Sequence, residues 1–265
     1  MVYSLPILLA ILAAGLGAGV IGGLAGIGGS LIILPALHAI LGDEPASVHH
    51  LYMAAAMVVN VAVSFPAAAR HARSGAIRRD LMPGLLIWTA FAIIAGVLVG
   101  NRFSGDALRH ILAGFILIYC IFNLVRIARR IDDHPPEAER TGRTNIALSG
   151  SFTGFIGGLL GLGGGVMLVP MLQMLCRVPL RQSIATSSAV ICMTAVIGAG
   201  LKLATLSGEG QSWTAALMLA ALLAPTAMIG GVIGASLTHA LPINAVRAAV
   251  TVVLLASAAK LAGVW

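Results

Sequence analysis

The sequence predicts an all-α polytopic membrane protein made of two homologous repeats, and three observations support this. First, 59% of the 265 residues are hydrophobic and only 9% are charged, with a mean hydropathy of +1.01. Soluble domains carry roughly 25% charged residues, so this much apolar surface requires lipid as its solvent. Second, the apolar residues form continuous runs, which are not typical of a transmembrane β-barrel. Third, one glycine-rich motif occurs in each half of the chain.

The first half contains five hydrophobic segments, separated by polar connections. They are Pro6–Gly22, Ser30–Leu41, His49–Ala69, Leu81–Gly100 and His110–Val125. Arg70–Asp80 is rich in arginine, which is typical of a cytoplasmic loop. Asn101–Arg109 is predicted to be a tight polar turn.

The second half repeats this pattern after a hydrophilic linker at Arg126–Arg143. Its segments are Asn145–Ile156, Val166–Leu175, Gln182–Leu206, Trp213–Leu237 and Asn244–Ala262. We therefore expect a first repeat at residues 1–128, a linker at 129–143 and a second repeat at 144–265. Four to five segments in each repeat amount to eight to ten membrane segments in total.

The duplicated motif reads GGLAGIGGSLIILP at Gly22–Pro35 and GGLLGLGGGVMLVP at Gly157–Pro170. A shift of 135 residues superposes most of the glycines and the final proline. Internal repeats of this kind are a common construction of secondary transporters. The motif therefore predicts two glycine-broken helical hairpins, one in each repeat.

The direction of the second repeat depends on the two short runs that flank each motif. One broken span would make the repeats parallel, whereas two crossings or a deep hairpin would make them inverted. About 38 residues from Leu5 to Gly42 are too many for one crossing of roughly 30 Å. We therefore favour inverted repeats, with the basic loops inside and both termini outside.

The glycine motifs are the first candidate binding site. In lipid, unpaired backbone N–H groups are costly unless something binds them, and helix N-termini favour anions. We expect helices to resume at Ser30 and Gly165, and the two breaks to meet as one anion cradle. The candidate residues are Gly26, Gly28, Gly29, Ser30, Gly161, Gly163, Gly164 and Gly165. The alternative is tight helix packing, which we favour for scattered pairs such as Gly96/Gly100 and Gly230/Gly234.

Polar residues in the apolar runs complete the candidate site. No Asp or Glu lies inside a predicted apolar run, although cation-coupled carriers usually place a carboxylate in the membrane. Gln182, Thr186, Ser187, Lys202 and Arg70 are the further substrate-binding candidates. For the hydroxyls of Thr186 and Ser187, the alternative role is hydrogen bonding to the preceding helical turn. For Lys202 and Arg70, it is snorkelling to the interface. Asn60, Ser64, Gln173 and Thr194 are other neutral polar residues in these runs.

Several other function classes are not expected. Three cysteines in apolar runs indicate neither a disulfide framework nor a metal cluster, and adjacent His49 and His50 point in different directions. One of the histidines is a candidate carrier of a coupling proton, H+.

The net charge of +7 fits loops that face anionic lipid, without a nucleic-acid partner. No cofactor is expected, and an intramembrane protease would need a nucleophile with a base, for which Ser30 and His38 are poorly placed.

The motifs resemble those of the TauE/SafE sulfite exporter family, also called 4-toluene sulfonate uptake permeases. The resemblance is carried by the paired glycine motifs, by PLRQSIATSSAV at Pro179–Val190 and by HARSGAI at His71–Ile77. It implies transport of a small sulfur-containing anion, such as sulfite, thiosulfate, sulfoacetate or another organosulfonate, across a bacterial inner membrane. The first repeat has Ala54–Ala56 where the second has Thr186–Ser188, so we expect more hydroxyl donors from the second half.

The sequence thus predicts a secondary carrier that works by alternating access, and not an enzyme. Two alternatives remain open. One is a passive anion channel. The other is a membrane subunit that delivers a sulfur compound to a partner protein, with Arg126–Arg143 as its docking segment. The direction of transport and the oligomeric state are left open.

Overall fold

The computed structural model describes residues 4–42, 47–128 and 138–242, together with residues 245, 248, 251, 252 and 254–256. The helices of the main ranges are α1 Leu5–Ala25, α2 Ser30–Leu41, α3 Val48–Arg73, α4 Met82–Gly100, α5 Gly105–Ala128, α6 Arg143–Leu159, α7 Leu168–Met174, α8 Leu180–Thr205 and α9 Trp213–Ala240. A short 3-10 helix, Leu206–Glu209, follows α8. The all-α prediction is confirmed. The middle of the linker and most of the predicted last span lie outside the described residues.

Within the described residues, six helices are long and apolar enough to cross a membrane. They are α1, α3, α4, α5, α8 continued by the 3-10 helix, and α9. Large apolar side chains such as Phe91, 70% exposed, and Ile118, 65% exposed, cover the outside of the bundle. Such a surface is stable only in contact with lipid. The protein is therefore an integral membrane protein with several spans.

The helices next to each glycine motif form a deep hairpin. The end of α1 lies beside α9, where Thr238 donates a hydrogen bond to the Leu24 carbonyl over 2.8 Å. α2 then runs back in the other direction. Its end lies beside the start of α3, where the Tyr52 hydroxyl donates to the Gly42 carbonyl over 3.1 Å. In the second half, Asn145 at the start of α6 reaches the Leu175 carbonyl just after α7 over 3.2 Å. The predicted hairpins are thus present in both halves.

Equivalent helices of the two halves run in opposite directions. His50 at the start of α3 contacts Lys202 near the end of α8, with 2.7 Å between the ring Nδ1 and Nζ. The amide of Arg78, which follows α3, donates to Thr186 near the start of α8 over 3.0 Å. α3 and α8 are therefore antiparallel. Because both helices follow the hairpin of their own half, this arrangement agrees with inverted repeats.

Two pairs of parallel helices interlock the halves at glycines. A Cβ atom on Gly19 of α1 would overlap the carbonyl oxygen of Ala227 on α9. A Cβ on Gly96 of α4 would likewise overlap the carbonyl oxygen of Phe155 on α6. Each pair joins a helix of the first half to one of the second. Tight packing, the role predicted for the scattered glycine pairs, is therefore what these glycines provide.

The bundle has two chemically different ends. The basic end carries the loop at residues 74–81, where Arg78 pairs with Glu139 over 2.6 Å and contacts Gln182 over 3.3 Å. The opposite end carries the starts of α3 and α9, where Gln211 donates to Ser47 over 2.8 Å. By the positive-inside rule, the basic end is the one expected to face the cytoplasm.

Candidate functional site

The two glycine motifs fold into the same local turn. We call residues 26–29 the first glycine loop and residues 160–167 the second glycine loop. The amide of Ile27 donates to the Gly22 carbonyl over 3.2 Å, and the equivalent amide of Leu162 donates to Gly157 over 2.7 Å. Gly22 and Gly157 have no space for a side chain, because a Cβ there would press on the backbone of their own loops. The repeated glycines thus let each loop fold back onto its helix.

Asn60 on α3 joins the two loops through four hydrogen bonds. Its Oδ1 accepts from the backbone amides of Gly29 over 2.7 Å and Ser30 over 2.8 Å. Its Nδ2 donates to the Ser30 hydroxyl over 2.9 Å and to the Leu162 carbonyl over 3.1 Å. Since Asn60 is fully buried, these contacts lie deep inside the bundle.

Hydroxyl groups of α8 hold the same loops from the other side. The Ser187 hydroxyl is placed to donate to the Gly26 carbonyl over 2.7 Å and to the Gly165 carbonyl over 3.2 Å. Thr194 reaches the Gly163 carbonyl over 3.4 Å. One polar side chain from each half therefore bridges both loops. The loops meet in the interior, between the antiparallel helices α3 and α8.

Two details differ from the sequence prediction. The amides of Gly29 and Ser30 are not bare, because the Asn60 side chain accepts both of them. The prediction that a helix resumes at Gly165 is wrong, since α7 begins at Leu168. Gly163 and Gly164 have φ angles of 66° and 88°, which interrupt the helical hydrogen-bond pattern. Only the first motif therefore directs two amides at one point.

Three predicted binding residues lie at the basic end. Thr186 accepts the Arg78 amide over 3.0 Å, and Gln182 accepts from the Arg78 guanidinium over 3.3 Å. Arg70 donates to the Ser236 hydroxyl on α9 over 3.2 Å. These residues are thus grouped at the basic end of the bundle.

Arg78 organises the basic end. It forms short contacts of 2.6 and 2.7 Å with both carboxylate oxygens of Glu139, and it also pairs with Asp80 over 2.9 Å. Hydrogen bonds that Arg78 donates to Asp80 and Glu139 raise the pKa of Arg78, and the hydrogen bond from Arg78 lowers the pKa of Asp80. Residues 72, 75 and 77–80 line a cavity of about 310 Å³, to which Arg78 contributes. From the sequence, this arginine indicates only a cytoplasmic loop.

Lys202 lies at the opposite end, although it is only 1% exposed. Its Nζ donates to Asn101 Oδ1 over 2.6 Å and contacts His50 over 2.7 Å. Lys202 and Arg70 occupy similar places in the two repeats, and the inversion puts them at opposite ends. The structure therefore divides the predicted residues into a central group and two end groups.

Asn60 is the central residue that sequence reasoning did not select. It is a single asparagine in an apolar run, and the corresponding stretch of α8 places Cys192 there at a shift of 132 residues. The duplication that marks the glycines is therefore missing for Asn60. Its position opposite both loops follows only from the packing of α3.

The fold and the central group define a class: polytopic helical membrane proteins with duplicated, broken hairpins, an architecture typical of secondary transporters. The family model described as "Sulfite exporter TauE/SafE" matches residues 11–261. The chain belongs to this family, and the relatives that it matches carry the names of membrane transporters and not of enzymes.

The relatives carry the same class of name. The chain is 26% identical to the probable membrane transporter protein MamO of Magnetospirillum gryphiswaldense, over 98% of this chain but 45% of MamO. It is 29% identical to the probable membrane transporter protein MJ0441 of Methanocaldococcus jannaschii, over 68% of this chain and 66% of the relative. It is 24% identical to the probable membrane transporter protein YunE of Bacillus subtilis, over 91% and 92%. The chain thus spans less than half of MamO. No solved structure matches it.

Proposed function

We propose that the protein is a secondary carrier of a small sulfur-containing anion, such as sulfite, thiosulfate or an organosulfonate, in a bacterial inner membrane. The observation that carries this proposal is the convergence of two backbone amides on one buried oxygen between the glycine loops. The description of the family supports the substrate class.

The amides of Gly29 and Ser30 form a site suited to an oxyanion. Both lie within 2.8 Å of the same acceptor, at the N-terminus of α2, where the helix dipole favours negative charge. In the proposed cycle, Asn60 Oδ1 occupies this position in the empty carrier, and a substrate oxygen replaces it. A neutral amide is a moderate competitor, so the anion binds and also leaves.

Access to the site requires the halves to move. The centre is closed in this conformation, because the side chains that line it are fully buried: Ser30, Asn60 and Ser187. Polar groups lie at both ends of α3 and α8, from Arg78 and Thr186 to His50 and Lys202. We propose that α3 and α8 separate alternately at the two ends, which is alternating access.

Counterflow in proteoliposomes tests the proposal. Vesicles loaded with unlabelled thiosulfate, sulfite or an anionic organosulfonate should transiently accumulate the same labelled anion, because a carrier exchanges substrate without net flow. A passive channel would equilibrate the label without a transient accumulation. A delivery subunit would show neither behaviour on its own.

The variant Gly163→Val should abolish this counterflow. Gly163 has a positive φ, and a Cβ atom there would lie 2.7 Å from Asn60 Nδ2. The control is Gly17→Val, because a Cβ on this exposed glycine of α1 has no neighbour within 4 Å. Both variants should insert and remain monodisperse. Full counterflow in Gly163→Val would count against a binding site between the glycine loops.

A further inference from the structure

Four polar side chains meet at the opposite end, away from the glycine loops. Lys202 Nζ lies 2.6 Å from Asn101 Oδ1 and 2.7 Å from His50 Nδ1. The other ring nitrogen of His50, Nε2, lies 3.2 Å from the Phe103 carbonyl and 3.6 Å from the Glu209 carboxylate. Lys202 and His50 are 1% and 2% exposed, so a buried lysine and a buried histidine share one contact.

The geometry assigns the protons of this pair. An ammonium group only donates, so His50 Nδ1 accepts from Lys202. The single ring proton then sits on Nε2, where it is donated to the Phe103 carbonyl. A second proton can bind only at Nδ1, the atom that faces Lys202. Its arrival would bring two donors face to face and turn an attraction between α3 and α8 into a repulsion.

The surroundings determine how such a proton would arrive. Glu209, whose side chain is 21% exposed, connects His50 to solvent and favours a positive charge on the ring. Among the described residues, Arg109 on α5, His38 on α2 and His49 on α3 are further charged or titratable groups near the cluster, where they, His50 and Lys202 act on one another. His38 and His49 contact each other over 2.8 Å. Lys202 opposes a positive charge on His50, and Glu209 favours it.

We propose that His50 and Lys202 form the binding site of a coupling proton. The proton arrives past Glu209 and, when it binds, opens the end of the bundle at which His50 and Lys202 lie. This inference rests on the carrier function proposed above and adds the coupling ion. It gives Lys202 a role in proton coupling, where the sequence analysis had placed it among the substrate ligands.

The same two helices link this site to the glycine loops. Ten residues separate His50 from Asn60 on α3, which is about 15 Å of helix. Fifteen residues separate Lys202 from Ser187 on α8, which is about 22 Å. Because α3 and α8 hold the loops through Asn60 and Ser187, a separation that starts at His50 loosens the contacts at the centre.

A labelling experiment without substrate tests the opening step. In a variant with Cys120, Cys176 and Cys192 replaced by alanine, a single reporter is introduced as Thr205→Cys, beside Asn101. Its labelling rate with a membrane-impermeant maleimide is divided by that of Ser207→Cys, an exposed position on the 3-10 helix. The division removes the pH dependence of the thiol itself. Acidification from about pH 8 to about pH 5, a range that extends below the usual pH at which histidine titrates, should raise this ratio several-fold.

Three further variants decide whether His50 is responsible. The rise should disappear in His50→Gln and weaken in Glu209→Gln, which changes a partly exposed side chain and preserves the fold. It should persist in His110→Gln, since His110 is an exposed histidine on α5. A ratio that does not respond to pH, or a rise that survives in His50→Gln, would overturn the proposal.

Transport then tests the coupling itself. Thiosulfate is the probe, because it stays fully ionised in this pH range. An acidic exterior should drive its accumulation in the wild type but not in His50→Gln. Counterflow without any response to the gradient in the wild type would refute the proton site alone. Absent counterflow for every anion would refute the carrier proposal, and the labelling ratio would still decide whether protonation opens this end.

Discussion

Asn60 shows how one side chain can determine the state of the whole centre. Its carboxamide satisfies two buried amides, one hydroxyl and one carbonyl. A buried polar group left without a partner costs about 1–3 kcal/mol, so the closed centre is stable only while Asn60 keeps this orientation. An anion that replaces Oδ1 would also release the contact between Asn60 and Leu162, and would thereby loosen the connection between the two loops.

The variant Asn60→Asp should lower counterflow at least about tenfold, equivalent to about 1.4 kcal/mol. A carboxylate would still accept the amides of Gly29 and Ser30, but its charge would repel the substrate anion. It would also lose the donor to Leu162. The measurement is the initial rate of counterflow by monodisperse protein.

Asn123→Asp is the control, because it adds a carboxylate at another buried asparagine, on α5. This variant should keep its activity as long as it folds. Equal rates for Asn60→Asp and the wild type would mean that the anion does not approach these amides.

At the level of helices, contact between the halves depends on glycine at regular spacing. α1 lies along α9, and α4 lies along α6, so close that backbone atoms touch at several glycines. Water does not drive such helices together within lipid, where packing and hydrogen bonds have to do so. Each half thus needs the other half to cover its glycine faces.

The variant Gly234→Ala should lower the thermal stability in detergent. A Cβ on this residue of α9 would overlap the carbonyl oxygen of Val20 on α1. Overpacking of this kind costs typically about 1–3 kcal/mol. Gly17→Ala on α1 has free space around the new methyl group and should leave the midpoint unchanged or raise it. Equal midpoints for the two variants would contradict the close approach of α1 and α9.

At the level of the whole molecule, the inversion of the halves produces a bundle with one basic end and one end of mixed charge. Arg70, Arg73, Arg78 and Arg79 lie together near Arg140, Arg143 and Arg181 at the basic end. Since cytoplasmic loops carry the excess of Lys and Arg, this end should face the cytoplasm and the His50–Lys202 cluster should face the outside. An external proton would then reach Glu209 directly.

Cysteine accessibility tests this orientation. In the same cysteine-free variant, Ser207→Cys should react with an impermeant maleimide added to spheroplasts. Ala72→Cys, at the exposed end of α3, should react only in inverted vesicles or after permeabilisation. The reverse pattern would place the proton site in the cytoplasm.

Local chemistry made much of the fold predictable. The α2 boundaries Ser30–Leu41 agree with the structure, and most other helices differ by only a few residues. The predicted polar turn Asn101–Arg109 is an exception, because α5 already begins at Gly105. Polar and charged residues can belong to a membrane helix when its terminal turn lies at the interface, so they do not by themselves mark the end of the helix. The repeat boundaries at 128 and 144 stay a prediction.

The sequence by itself determined the solvent, the helical class, the duplicated hairpins and the family, because hydropathy and a repeated glycine motif are properties of short stretches. Only the tertiary structure decided that Asn60 and Ser187 bridge the loops, that Arg70 and Lys202 lie at opposite ends, and that His50 contacts Lys202 across 152 residues. These contacts join parts of the chain that are far apart in sequence. Their geometry depends on how antiparallel helices pack, and no local pattern of residues encodes it.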